Sequence, residues 1–142
     1  MVMLLLGVFA WAASSQLPAL SFHLPFSSLL AVALVAAGVA LNLLPKLAFG
    51  RARTTINPLK PQTTTHLVTS GIFRYTRNPM YLGQSVIVLA WAVYLHNVVA
   101  LLAVPAFMLY ITRFQILPEE RHLGALFGDG FEAFCRRTRR SV

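Results

Sequence analysis

The sequence predicts an all-α integral membrane protein, with about four transmembrane helices in one bundle and a C-terminal interfacial amphipathic helix. Three observations carry that expectation. First, 57% of the 142 residues are hydrophobic and only 11% are charged, whereas a soluble domain carries about a quarter charged residues. A chain this small leaves much of its surface wet, so lipid is the simpler solvent for so much apolar side chain. Second, the apolar residues fall into long runs parted by prolines and polar turns. Third, the cations flank those runs, at Arg51, Arg53, Lys60, Arg74 and Arg77 and again at Arg136, Arg137, Arg139 and Arg140, as in the positive-inside pattern.

Each element follows from local residues. Met1 to Ala13 is continuously apolar and runs on weakly through Ser14, Ser15 and Gln16, giving a first span of about 2–20. It lacks the basic start of a cleaved signal peptide and reads as a retained span. Pro18 and Pro25 mark the loop that follows. The second span, 27–49, reaches about 34 Å at about 1.5 Å per residue, enough for a hydrocarbon core of about 30 Å. Its alanines and Gly38 present a thin face for close helix packing. Pro45 is placed to kink its end, and Lys46 to snorkel toward headgroups. A polar, basic connector spans 50–79. The third span, 80–95, and the fourth, 98–116, are separated only by His96 and Asn97 and so form a tight hairpin, with Trp91 and Tyr94 near its outer turn. Pro105 bends the fourth span.

After it, Pro118 suits a first helical position, and Glu119 and Glu120 suit a helix N-terminus. Leu123, Leu126, Phe127, Phe131 and Phe134 recur at helical spacing, predicting an interfacial helix over 118–140 that Gly128-Asp129-Gly130 weakens mid-way. Four crossings would put both termini and the connector in the cytoplasm, at the inner membrane. Residues 1–142 form a single domain.

The same residues exclude several functions. The net charge of +8 sits where topology and anionic lipid account for it, so nucleic acid is not an expected partner. Cys135 is the single cysteine, and the four histidines are scattered, so neither a disulfide nor a metal site is expected. Every acidic residue (Glu119, Glu120, Asp129, Glu132) lies in the C-terminal stretch, which counts against an ion-coupled transporter needing an intramembrane carboxylate. Adjacent on a helix, Glu119 and Glu120 diverge by about 100°. One could hold a ligand while the other pairs with an arginine, although spacing alone favours helix capping and dipole complementarity for both. The connector has neither a phosphate loop nor a dinucleotide glycine fingerprint. The residues themselves lead to a cytoplasm-facing polar site beside a helical bundle, and no further.

Two motifs sharpen this. LVTSGIFRYTRNPMYLG, Leu67 to Gly83, is followed by PEERHLGALFGDGFEAF, Pro118 to Phe134. Together they resemble the isoprenylcysteine carboxyl methyltransferase family and the related phospholipid methyltransferases, over roughly residues 40–140. The resemblance implies a membrane-embedded methyltransferase that uses S-adenosylmethionine and a lipophilic small molecule or lipid from the bilayer. Carried across by motif, His66, Leu67 and Val68 would contact the cofactor and Phe73 would line the adenosine pocket. Asn78, Pro79, Met80 and Tyr81 would form its floor, and Glu119 would bind a polar end. Arg77, Tyr81, Arg113 and Glu120 are positioning candidates, with Glu120 a partner for Arg74 or Arg77. Asn78 stands where histidine is common in the family, Phe73, Phe131 and Phe134 where tyrosine is common, and Gln115 where an arginine serves a prenylcysteine carboxylate. These departures point away from prenylcysteine as acceptor. A sterol-reductase-like enzyme using NADPH and a small helical transporter or scaffold are the rival readings. Oligomeric state is not legible.

Overall fold

Where no water can reach the backbone, N–H and C=O groups must pair within their own segment, and the apolar runs do so as helices. The computed structural model describes residues 1–51 and 67–140, with side chains through residue 47 of the first stretch. His66, Arg53 and Lys60 lie outside the described residues. The elements are α1 (Val2–Gln16), a 3-10 turn (Pro18–Leu20), α2 (Ser27–Arg51), a 3-10 turn (Gly71–Arg74), α3 (Pro79–Leu95), α4 (Val98–Leu101), α5 (Ala103–Ile111), a π-helical turn (Thr112–Ile116), α6 (Leu117–Phe127) and α7 (Asp129–Arg137). The described residues contain isolated bridges, Ser21 with Asn97 and Thr76 with Arg139, and no strand.

Among the described residues, two helices are long and apolar enough to cross a membrane: Ser27–Leu47, and the helical run Val98–Phe127. α1 and α3 are apolar but shorter, at 15 and 17 residues, against the roughly 20 of an ordinary span.

Two sequence-based boundaries are corrected. The first helix stops at Gln16 rather than running to residue 20. Ser14 and Ser15 donate back to the carbonyls of Ala10 and Ala12, which weakens a helix, and Pro18 has no N–H to continue it. Nor does one interfacial helix cover 118–140. Pro118 opens no new helix, because α5 runs through the π-helical turn into α6, and the break comes at Gly128. In α-geometry the Pro118 ring would press on the carbonyl of Phe114; the wider turn over Thr112–Ile116 relieves that clash without ending the helix. Gly128 has φ 50° and ψ −125°, a conformation glycine adopts at little cost. Pro105 acts similarly: the helix is interrupted at Leu102, one turn ahead of its ring.

α2 and α3 share the most extensive interface, centred where Gly38 meets Gly83. α1 packs on α3, α4 and α5 around a core of Ala10, Val88, Ala92, Ala103, Phe107 and Ile111. Outward faces stay apolar, with Leu4, Phe9, Trp11, Leu29, Val32 and Leu109 all exposed. An apolar surface this continuous is a lipid- or protein-binding surface rather than a wet one.

The end of the bundle at His96 is tied by polar contacts. Asn97 is fully buried. Its Oδ1 accepts from Val99 N at 2.9 Å and its Nδ2 donates to Leu17 O at 2.9 Å. Phe22 N donates to His96 O at 2.9 Å, and His96 Nε2 pairs with the buried Ser27 hydroxyl. Asn97→Ala would remove the cap of α4 and leave the Leu17 carbonyl with only its longer bond from the Leu20 N–H, at 3.2 Å. The expected cost is about 2 kcal/mol, read as a lowered thermal midpoint in detergent or nanodiscs.

Candidate functional site

The opposite end of the bundle gathers both polar motifs. Gly71, at φ 64°, turns the connector into the Gly71–Arg74 turn, and this brings Phe73 inward. Val68 and Phe73 are buried against Phe131 and Phe134 of α7, with Leu67, Ile72, Leu123, Phe127 and Cys135 packed around them. The connector's end and the last helix are therefore one apolar unit.

The chain then runs beside its own C-terminal segment. Arg77 N donates to Arg139 O at 2.9 Å, and the Arg140 carbonyl accepts from Asn78 Nδ2 at 2.9 Å and Thr76 Oγ1 at 3.2 Å. Asn78 occupies the N-cap position of α3, yet its side chain makes no capping hydrogen bond; its amide serves the tail instead. Pro79 at the first turn needs no donor partner.

Arg77 lies at the centre. One terminal nitrogen is 3.0 Å from Glu120 Oε1 and donates to Cys135 Sγ at 2.6 Å. Glu120 also receives Arg140, through Nε at 3.1 Å to both oxygens and through a terminal nitrogen at 2.8 Å. One carboxylate thus holds two guanidiniums, and its hydrogen bonds and charge keep Arg140 more firmly protonated than usual. The Nε of Arg77 is buried with no hydrogen-bond partner among the described residues.

Glu119 points elsewhere, as its 100° offset from Glu120 requires. It accepts from the Tyr81 hydroxyl at 3.0 Å. It sits just past the apolar stretch of the Val98–Phe127 helix. Burial raises its pKa above the ordinary carboxylate value, the Tyr81 hydrogen bond lowers it, and the Glu120 charge raises it further; the net shift is upward.

Of the residues singled out by sequence, Arg77, Asn78, Pro79, Tyr81, Glu119 and Glu120 come together here, with Met80 half-buried beside them. Leu67, Val68 and Phe73 line the adjoining apolar unit. Arg74 and Arg113 are exposed and form no ion pair among the described residues. Sequence reasoning missed Thr76, Cys135 and Arg140. The tail arginines carry a topology signal, and nothing in their pattern marks Arg140 as a partner for Glu120.

The model of the phospholipid methyltransferase family matches residues 26–130, a stretch that includes both motifs. The chain belongs to this family. An uncharacterised protein of Haemophilus influenzae is 43% identical over 61 residues, which cover 43% of this chain and 97% of that protein. No solved structure matches. Membership of the phospholipid methyltransferase family, with two of the described helices long and apolar enough to cross a bilayer, makes the chain a membrane-associated protein of methyltransferase kind.

Proposed function

We propose that this chain is an S-adenosylmethionine-dependent methyltransferase of the inner membrane, acting on a lipophilic small molecule or lipid. The cofactor's place is the cytoplasmic face, between the connector's end, the start of α3, and α6. The observation that carries the reading is the meeting of Tyr81 with Glu119, 38 residues apart, beside the Arg77–Glu120 pair in a chain of this family. Four crossings fit the reading, because the short α1 and α3 are served by local bilayer thinning and snorkelling flanks.

The residues present suit the cofactor. The unpartnered Arg77 Nε is placed for a carboxylate. Glu119 accepts a hydrogen bond from Tyr81 and is placed for a cationic group. Leu67, Val68 and Phe73 provide an apolar seat for adenine, with Asn78, Pro79 and Met80 completing the site. When bound, S-adenosylmethionine supplies a methyl group already activated on a sulfonium, so the protein has mainly to hold, orient and desolvate. A carboxylate acceptor would need no general base, whereas an amine would first lose a proton.

Calorimetry tests the site. Glu119→Ala should weaken S-adenosylmethionine binding by about tenfold to a hundredfold, the value of one charge-assisted hydrogen bond. Tyr81→Phe should cost about threefold to tenfold, since Glu119 survives without its orienting hydroxyl. Protonated Glu119 offers no charge to a cation, so affinity should rise as pH climbs through its raised pKa, and Glu119→Gln should flatten that profile. Unchanged affinity in all three variants would overturn the site. A thermal shift with NADPH and none with S-adenosylmethionine would favour a reductase instead.

A further inference from the structure

The carboxylate of Glu120 holds one guanidinium more than its charge requires. Arg77 is 3.0 Å from it, with both side chains 14% exposed, and Arg140 meets it at 2.8 Å from a side chain that is 44% exposed. Arg140 can leave without stranding a buried charge, because Arg77 stays. We propose that residues 139 and 140 form a strap, latched across the connector's end by Arg140 and Glu120, and that an anionic lipid surface unlatches it by drawing the tail arginines to its phosphates. The strap is read from the tail contacts alone; its effect on the cofactor rests on the methyltransferase reading.

α7 ends at Thr138, which is buried and extended, with φ −127° and ψ 132°, so the backbone beyond it leaves the helix. The Arg139 carbonyl accepts from Arg77 N, and the Arg140 carbonyl accepts from Thr76 Oγ1 and Asn78 Nδ2. Among the described residues, these hydrogen bonds and the Glu120 latch hold the strap. Lifting it would free the Asn78 amide and the Arg77 backbone N–H, both beside groups assigned to the cofactor.

Charge and position name the partner. Arg136, Arg137, Arg139 and Arg140 lie within one short stretch, and all are exposed. Arg136 has only a loose, exposed partner, Glu132 at 3.6 Å, and Arg137 and Arg139 form no ion pair among the described residues. Thr76 to Asn78, which the strap crosses, directly precede Pro79, where the apolar α3 begins. Three residues reach at most about 10 Å, about one Debye length, so a strap held there lies within the field of the headgroups. Anionic headgroups supply what the tail lacks, several negative charges in one plane.

Magnitudes favour release at such a surface. An exposed ion pair is worth at most about fivefold in an equilibrium constant. An arginine near an anionic surface gains about as much, so the two that move with the strap gain about 25-fold together. Arg136 and Arg137 hold the end of α7 beside the same surface. The backbone hydrogen bonds keep the strap mostly closed, and lipid charge sets how often it opens.

The experiment uses the full chain, without cofactor, in nanodiscs of phosphatidylcholine alone or of phosphatidylcholine and phosphatidylglycerol in equal parts. Hydrogen exchange is followed in the peptide containing Arg77, whose amide is bonded to the Arg139 carbonyl when the strap is closed. Exchange there should rise about tenfold in the anionic discs, while the middle of α3 stays unchanged. Protons concentrate at an anionic surface and slow exchange, so surface pH works against this result. Arg136→Gln, Arg137→Gln and Arg139→Gln together should remove most of the rise and leave exchange in phosphatidylcholine as it was, because the latch is intact. Arg140→Gln should instead raise exchange in phosphatidylcholine, by up to about fivefold. Equal exchange of the parent in the two discs, or an undiminished rise in the triple variant, would overturn the switch. Opening by inorganic phosphate in phosphatidylcholine discs would overturn the assignment to a lipid surface. S-adenosylmethionine should dissociate faster from the anionic discs by a similar factor, and an unchanged rate would remove the strap's effect on the cofactor. If the strap opens but neither disc binds S-adenosylmethionine, the switch stands and the methyltransferase reading falls.

Discussion

Gly83→Leu is expected to separate α2 from α3 and leave little folded, monodisperse protein. A Cβ at Gly83 would lie 2.6 Å from the Gly38 carbonyl oxygen and 3.0 Å from the Leu41 Cβ, with the Asn42 amide closer still. A Cβ at Gly38 would in turn lie 2.8 Å from the Gly83 carbonyl and 2.6 Å from Ile87 Cγ1. Backbone oxygens cannot swing aside as side chains do, so the helices would have to part. Overpacking by a methylene or so costs about 1–3 kcal/mol. Leucine adds far more bulk, so the loss should exceed that range and consume much of a total stability of about 5–15 kcal/mol. Because α3 carries Asn78 to Tyr81, the same displacement should pull Tyr81 from Glu119 and lower cofactor affinity. Gly130→Ala is the control: nothing lies within 4 Å of its added Cβ, and the thermal midpoint should barely move. A Gly83→Leu variant as stable as the parent would mean that the helices do not pack at this seam.

Which features were legible follows from the range of the interactions that make them. The helical runs, the hairpin at His96-Asn97 and the break near Gly128 are local. Hydrophobic continuity, a two-residue polar gap and a glycine pair each leave a mark in a short window. The divergence of Glu119 and Glu120 is equally local, being set by helix geometry alone. The course of the helix past Pro118 was misread because proline usually marks a boundary, whereas a π-helical turn lets the chain absorb it. The pairing of Gly38 with Gly83 depends on the register between two helices, to which many small residues in α2 contribute equal candidates. The tail's return is the least legible feature: Asn78 and Arg140 are 62 residues apart, and a basic C-terminus reads as a topology signal whether or not it folds back. The two carboxylates could therefore be noticed in sequence, but their separate partners could not be assigned.

Those partners lead to the second large effect. Glu120→Ala should destabilise the site by about 3 kcal/mol or more, because it strands Arg77. The side chains of Arg77 and Glu120 are each only 14% exposed, so water makes up little of the lost interaction. Arg140 is 44% exposed on its side of the pair and adds at most about 1 kcal/mol. Hydrogen exchange should rise in residues 138–140, whose carbonyls and side chains meet Thr76, Arg77, Asn78 and Glu120. The double variant Arg77→Met with Glu120→Met separates structure from function. A buried ion pair replaced by apolar side chains of similar volume is often neutral or stabilising, so the double variant should regain most of the thermal midpoint that Glu120→Ala loses. It should not regain S-adenosylmethionine affinity if Arg77 holds a carboxylate there, since methionine offers no donor. Recovery of both stability and affinity would make the Arg77–Glu120 pair a brace between α3, α6 and the tail, and would move the cofactor's carboxylate elsewhere. Recovery of stability alone would leave Arg77 with two roles, as a counter-charge for Glu120 and as an unfilled donor facing the cofactor.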